Sequence, residues 1–167
     1  MSVISDPGKL LETIKQQEQL IQFDRFDNDQ ALALGLCIVE RAKQKNCSVS
    51  VAITINGWQV FKYSMPGTPR PDNEGWLLRK HNTVTRFRQS SLATAASMGM
   101  KGATLADRAL DPQEYVFFGG GFPLTVKGAG VIGSICVSAL HHTEDHQLIV
   151  EACADYLGIQ VPSVLSE

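Results

Sequence analysis

The chain has 167 residues, of which 44% are hydrophobic and 19% charged, and this globular composition excludes a disordered or fibrous protein. One hydrophobic core suffices for such a length, so we predict a single domain over residues 1–167. The formal net charge of -2 gives no overall attraction to nucleic acid or an anionic membrane, and no apolar run approaches the roughly 18 residues of a membrane span, so neither is expected as a partner.

The first two predicted elements are helices. Asp6-Pro7 is a helix-start signal, and apolar residues follow it at near-helical spacing. Asn28 or Asp29 can cap a second helix, which we expect to end near Asn46.

A β-hairpin is predicted next. Residues 48–55 are rich in β-branched side chains, Asn56-Gly57 is a type I′ turn signal, and the alternation of apolar and polar residues resumes over 58–63. The prolines at positions 66, 69 and 71 then predict an irregular loop.

A long helix is predicted over residues 74–100. Asp72-Asn73 can cap its start, apolar residues recur three, four or seven positions apart, and Gly99 and Gly102 end the segment.

Three strands and a helix complete the chain. Residues 114–118, 122–126 and 130–140 are strand-like, and the loops that join them are too short for a parallel crossover, so these strands must run antiparallel. Thr143 can cap the last helix. The predicted fold is an α+β sandwich, in which an antiparallel sheet of about five strands is flanked by helices.

The cysteines and the N-terminus indicate the cellular compartment. Four cysteines are scattered without a Cys-x-x-Cys pair, and the first residues lack the basic and apolar regions of a signal peptide. We therefore predict a cytoplasmic protein with reduced thiols.

The predicted long helix carries a basic stretch without acids. Between positions 75 and 106 there is no Asp or Glu, while Arg79, Lys80, Arg86 and Ser90 lie within it. Clustered like charges cost stability unless an anion lies among them. Three alternatives follow: acids from elsewhere in the chain or from a second subunit, a bound carboxylate or phosphate, or exposure to solvent.

Three successive glycines, Gly119-Gly120-Gly121, precede Phe122-Pro123. Glycines can bring bare backbone amides close to a ligand or to another part of the chain. The segment is therefore either an anion-binding nest beside the basic helix or a turn required by packing of the sheet.

Two tempting motifs do not support a site. Residues 128–133 match G-x-G-x-x-G, but they lead into a strand, whereas a dinucleotide site requires a helix there. His142 and His146 are one helical turn apart, yet no third or fourth ligand follows at metal-site spacing, so we predict no metal site. No motif identifies a catalytic residue.

A further set of residues occurs in the order of a family signature: Asp72, Asn73, Trp76, Arg79, Lys80, Val84, Arg86, Phe87, Ser90, Ser91, residues 119–124 and 130–133, Val137, Ser138, Asp145 and His146. Over about residues 28–157 the chain resembles the uncharacterised branch of the GlcG/HbpS-like haem-degrading-domain family. The resemblance implies a profilin-like sandwich that self-associates, and some relatives bind or degrade haem. Where relatives often have a Gly-Leu-Pro-like step, this chain has Ala139-Leu140-His141-His142.

Three functional hypotheses follow, and they leave open whether the protein is an enzyme. The first is a homo-oligomeric small-ligand-binding or accessory protein with a basic, glycine-flanked anion pocket. The second is a haem- or tetrapyrrole-binding or haem-degrading protein, with haem as the candidate cofactor, although no iron ligand is singled out. The third is an assembly scaffold without a ligand. The residues expected to form the pocket or a subunit interface are Trp76, Arg79, Lys80, Arg86, Ser90, Gly119, Gly120, Gly121, Phe122, Pro123 and His146.

Overall fold

The computed structural model describes residues 2–68 and 70–166; Pro69, in the predicted loop, lies outside the described residues. A single 3-10 turn, Ala106–Arg108, lies between α4 and β4. In chain order the other elements are β1 (Ser2–Val3), α1 (Pro7–Leu20), α2 (Asn28–Gln44), β2 (Ser50–Ile55), β3 (Trp58–Ser64), α3 (Asn73–Phe87), α4 (Ser91–Lys101), β4 (Gly121–Val126), β5 (Gly130–Ser138), α5 (His142–Leu157) and β6 (Leu165–Ser166).

The main sheet has four antiparallel strands in the order β3-β2-β5-β4, and β1 pairs with β6 in a separate two-stranded ladder. The β2–β3 hairpin confirms the turn predicted at Asn56-Gly57. Both residues have a positive φ, 49° and 82°, as a type I′ turn requires.

The strand predicted over residues 114–118 is not formed, which accounts for the smaller sheet. Side chains of α3 bind the backbone of this segment instead. The Thr83 hydroxyl donates to the carbonyl of Val116 and accepts from its N–H, at 2.8 and 3.2 Å. Asn82 donates to the carbonyl of Glu114 at 2.9 Å. The segment therefore lies along α3 and has no strand partner in the described chain.

The single long helix predicted over residues 74–100 is wrong, because the chain divides there into α3 and α4. Arg88 ends α3 in the left-handed conformation, with φ 58°. Ser90 is extended and caps α4, because its hydroxyl accepts from the N–H of Ala93 at 3.1 Å. Local capping thus prevails over an apolar periodicity that continues across the break.

Two helix starts also differ from the prediction. Asp27, the residue before Asn28, caps α2 in a reciprocal capping box with Gln30. Helix α5 begins at His142, one residue before Thr143.

The two faces of the main sheet pack on different helices. Because side chains alternate along a strand, Ile53 and Ile135 join the main core with α2 and α5, whereas Ala52 and Cys136 lie on the opposite face against Leu77 of α3. Helices on both faces of an antiparallel sheet confirm the predicted α+β sandwich, with one strand fewer than expected. Among the helices of the described ranges, none has the length and hydropathy that crossing a membrane requires.

Candidate ligand-binding cleft

A cleft of about 430 Å³ opens between α3, the segment before β4 and the start of α5. Its volume lies within the range of small-ligand pockets. The lining combines aromatic rings with a buried ion pair. The lining residues are Asn73, Trp76, Lys80, Phe118, Ser138, Ala139, Leu140, His141, His142 and Asp145.

Four rings form a row along this cleft. Trp76 stacks on Phe118 with centroids 5.8 Å apart and planes at 15°, and Phe118 stacks on His142 at 5.1 Å and 24°. His141 continues the row, 4.6 Å from His142. Phe118 is 46% exposed, so part of the row is accessible to solvent. Such a row of rings favours a flat, apolar partner.

A buried ion pair links α3 to α5 at this cleft. The Lys80 ammonium lies 2.8 Å from a carboxylate oxygen of Asp145 and also donates to the carbonyl of Val137 at 2.8 Å. The other carboxylate oxygen accepts from the N–H of Leu140 at 3.0 Å. Burial raises the pKa of the Asp145 carboxyl, an effect that Lys80 opposes. An acid from elsewhere in the chain therefore neutralises Lys80. This is the first of the three alternatives that the sequence left open for the basic stretch.

His142 is held in one tautomer by the glycine segment. Its Nδ1 atom accepts from the backbone N–H of Gly119 at 3.1 Å, which places the proton of the neutral ring on Nε2. Burial, and to a smaller extent the neighbouring His141 and Lys80, together lower the pKa of His142 to about 4. The ring is therefore neutral at physiological pH.

The three glycines pack tightly against α3, α4 and α5. A Cβ at Gly119 would collide with the carbonyl oxygen of His142, and one at Gly120 would lie 2.6 Å from the Lys80 ammonium. The Gly121 N–H donates to the Ser91 hydroxyl at 2.9 Å. Two of the three amides that were expected to face an anion, those of Gly119 and Gly121, thus already donate to protein groups.

The remaining predicted site residues are dispersed. Arg79 lies with its guanidinium 4.1 Å from the centroid of Trp76. Arg86 is exposed and borders a separate cleft, and Ser90 is buried at the start of α4. Phe122 and Pro123 are buried in β4. The structure therefore gathers Trp76, Arg79, Lys80 and the glycines, and separates them from Arg86 and Ser90.

His146 is fully buried behind the cleft. Its Nε2 atom lies 2.7 Å from the side-chain oxygen of Gln17 in α1. Burial lowers the pKa of His146 to about 3. This histidine does not line the cleft.

Sequence reasoning did not place eight of the ten lining residues in the site, among them Phe118, His141, His142 and Asp145. One sequence feature could have pointed to the two histidines: residues 139–142 differ from the Gly-Leu-Pro-like step that relatives often have at this place. Nothing local connects Asp145 with Lys80, which precedes it by 65 residues.

A larger groove of about 490 Å³ lies elsewhere, between α3 and the β2–β3 hairpin. Its polar lining includes Thr54, Gln59 and His81, and the His81 ring is bonded to Ser134 at 2.7 Å. The described residues of this groove include no Phe, Tyr or Trp. The smaller cleft is the better candidate for a flat ligand because it carries the aromatic row.

The antiparallel sheet with helices on both faces and a cleft at the end of β5 defines a profilin-like α+β sandwich. Residues 26–154 match the family model described as haem degrading protein HbpS-like, and the chain therefore belongs to the HbpS-like family.

Individual proteins agree with this assignment. A UPF0303 protein of Streptomyces coelicolor is 40% identical over 146 residues, which cover 87% of this chain and 92% of the relative. The crystal structure of the Ybr137w protein matches with a TM-score of 0.82 and 25% identity, over 93% of this chain and 97% of that one. The crystal structure of HbpS matches with a TM-score of 0.63 and 27% identity, over 82% and 93%.

Proposed function

We propose that the protein binds a flat, carboxylate-bearing tetrapyrrole in the cleft lined by Trp76, Phe118 and His142. The observation that carries the proposal is the row of stacked rings, with centroid spacings of 5.8 and 5.1 Å. A planar ligand gains both apolar burial and favourable ring geometry against such a surface. Membership of a family described as haem degrading supports this ligand class.

The charge near the cleft suits the ligand's carboxylates. Lys80 contributes little to a net attraction because Asp145 neutralises it. Arg79 is half-buried beside Trp76, and the structure gives it no acidic partner among the described residues. The positive N-terminal end of α5 also faces the cleft through His141 and His142. The proposed anion site contains fewer basic residues than the cluster predicted from the sequence, because Arg86 takes no part in it.

The donor set also fits haem. Imidazole is a common axial ligand of haem iron, and two of the lining side chains are imidazoles. Bound haem would supply an iron centre at this position. The row of aromatic side chains would pack against one face of the ring and exclude water from it.

Titration with protoporphyrin, followed by its absorption spectrum, tests the proposal. We expect saturable binding, and Trp76→Leu should weaken it about 10-fold, which corresponds to about 1.4 kcal/mol. Trp58→Leu is the matched control, because Trp58 is 70% exposed and lies at the end of the hairpin farthest from Ser138. Absence of saturable binding, or equal losses in the two variants, would reject the proposal.

We also propose that the protein forms a homo-oligomer, through α2 and the edge strand β3. Leu32 and Leu36 of α2 are 51% and 55% exposed, and Tyr63 of β3 is 43% exposed. The two elements are in contact where the Phe61 ring lies against Gly35. Exposed apolar side chains on adjoining elements are typical of association surfaces.

Sedimentation analysis tests this assembly. The wild-type chain should sediment as an oligomer, and Leu36→Glu should shift it toward the monomer. A monomeric wild-type protein at micromolar concentration would contradict the assignment. We propose a cytoplasmic setting, in which the cysteines would stay reduced and such an oligomer would form without disulfides.

A further inference from the structure

We infer that His141, and not its neighbour His142, is the residue of this chain that would coordinate haem iron, an inference that rests on the proposed tetrapyrrole site. Both imidazoles line the cleft, with centroids 4.6 Å apart. A neutral imidazole has one lone pair in the ring plane, and the other nitrogen carries the proton. The partner of that second nitrogen therefore decides whether the first can bind a metal.

The partner of His142 rules it out. Its Nδ1 atom lies 3.1 Å from the backbone N–H of Gly119. A backbone amide can only donate, so Nδ1 must keep its lone pair and Nε2 must carry the proton. Coordination through Nε2 would require this bond to break. His142 is instead a fixed N–H donor.

The partner of His141 permits coordination. Its Nδ1 atom lies 2.8 Å from the hydroxyl oxygen of Thr143. A hydroxyl can accept as readily as it donates, so it can take the proton of Nδ1 while Nε2 presents a lone pair. The Nε2 atom has no hydrogen-bond partner in the part of the chain that the structure describes. Thr143 is buried and would act as the positioning residue behind the ligand.

The other potential donors are engaged or distant. Within the cleft, the Lys80 ammonium is bonded to Asp145 and Val137. His146 is fully buried and bonded to Gln17, and His81 lines the separate groove. His141 is thus the lining residue whose lone pair is available without the loss of a protein hydrogen bond.

The experiment compares haem with iron-free protoporphyrin in three variants. His141→Ala removes the proposed ligand. His142→Asn is the matched control, because its side-chain oxygen can still accept from Gly119 while the Nε2 group is lost. Thr143→Val removes the acceptor behind His141. Absorption in the Soret region reports iron ligation, and iron-free protoporphyrin reports occupation of the cleft alone.

We expect His141→Ala to lose the histidine-ligated haem spectrum and to regain it with added imidazole, while its affinity for iron-free protoporphyrin changes less than about 3-fold. Thr143→Val should weaken haem binding about 10-fold or more, the usual effect of losing the hydrogen-bond partner behind a metal-binding histidine. His142→Asn shortens the aromatic row and should therefore weaken haem and iron-free protoporphyrin alike, but at saturation the bound haem should keep the ligated spectrum. Retention of that spectrum by His141→Ala, or its loss in His142→Asn at saturating haem, would overturn the inference. Failure of iron-free protoporphyrin to bind the wild-type chain would instead reject the proposed function.

Discussion

Lys80 of α3 and Asp145 of α5 form a buried ion pair, with 2.8 Å between the ammonium and a carboxylate oxygen and with side chains only 3% and 2% exposed. The pair joins two helices that lie on opposite faces of the sheet. It thereby fixes the start of α5, and with it His141 and His142, relative to Trp76. The shape of the cleft depends on this contact.

Removal of one partner should therefore be costly. Lys80→Met leaves the Asp145 carboxylate buried without its cation, and we expect the free energy of unfolding to fall by about 3–5 kcal/mol. Asp145→Asn should lower it by a similar amount. In the double variant the loss should be smaller than the sum by about 1–3 kcal/mol, measured by urea denaturation. Strictly additive losses would show that the two residues do not act as a pair.

Gly120 should be far less tolerant of a side chain than Gly128. Both have positive φ, 106° and 82°, but a Cβ at Gly120 would lie 2.6 Å from the Lys80 ammonium, whereas one at Gly128 meets open space. We expect Gly128→Ala to cost about 1 kcal/mol and Gly120→Ala about 3 kcal/mol, because overpacking adds to backbone strain. Thermal denaturation of both variants measures the difference. Equal costs would mean that the glycine segment is not closely packed on α3.

Ala139 occupies a backbone conformation that favours glycine, with φ 136°. Ala139→Gly should therefore raise the free energy of unfolding by about 1 kcal/mol. The control is Ala95→Gly in the middle of α4, where glycine should lower it by about 1 kcal/mol. Denaturant unfolding of the two variants shows whether each substitution raises or lowers the free energy of unfolding. Destabilisation by Ala139→Gly would contradict backbone strain at Ala139.

His146 should make stability depend on pH. Burial holds its pKa at about 3 in the folded protein, below the ordinary histidine pKa of about 6.5, so the neutral ring is favoured by folding. The resulting stability is fully present above about pH 6.5 and is lost as the pH falls toward 3, by up to about 1.4 kcal/mol for each pH unit. His146→Gln should reduce this slope between pH 6 and pH 4, measured by urea denaturation, because glutamine does not titrate. If the dependence of the free energy of unfolding on pH were the same in His146→Gln as in the wild-type chain, His146 would not be a source of that dependence.

Local signals account for the parts of the fold that the sequence predicted. The Asn56-Gly57 turn and the Asp6-Pro7 helix start each depend on a few adjacent residues. The predicted long helix failed because Ser90 caps a new helix within a continuing apolar repeat. The strand predicted over 114–118 failed because Thr83, distant in sequence, binds its backbone.

The cleft was only partly predictable for the same reason. Lys80 belongs to an unusual acid-free stretch and was singled out by its charge pattern, whereas Trp76 was singled out by the family signature. Their partners Phe118 and Asp145 come from segments that only the folded chain brings near. The tautomer of His142 depends on a backbone amide, that of Gly119, which no residue pattern reveals.

The most direct test of the central claim uses the fluorescence of Trp76. The chain has two tryptophans, so Trp58→Phe leaves Trp76 as the sole tryptophan, at the wall of the cleft. On titration of this variant with iron-free protoporphyrin, we predict saturable quenching of the tryptophan emission, with the same dissociation constant as the absorption change. Protoporphyrin that binds without quenching Trp76, or does not bind at all, would contradict a tetrapyrrole site in this cleft.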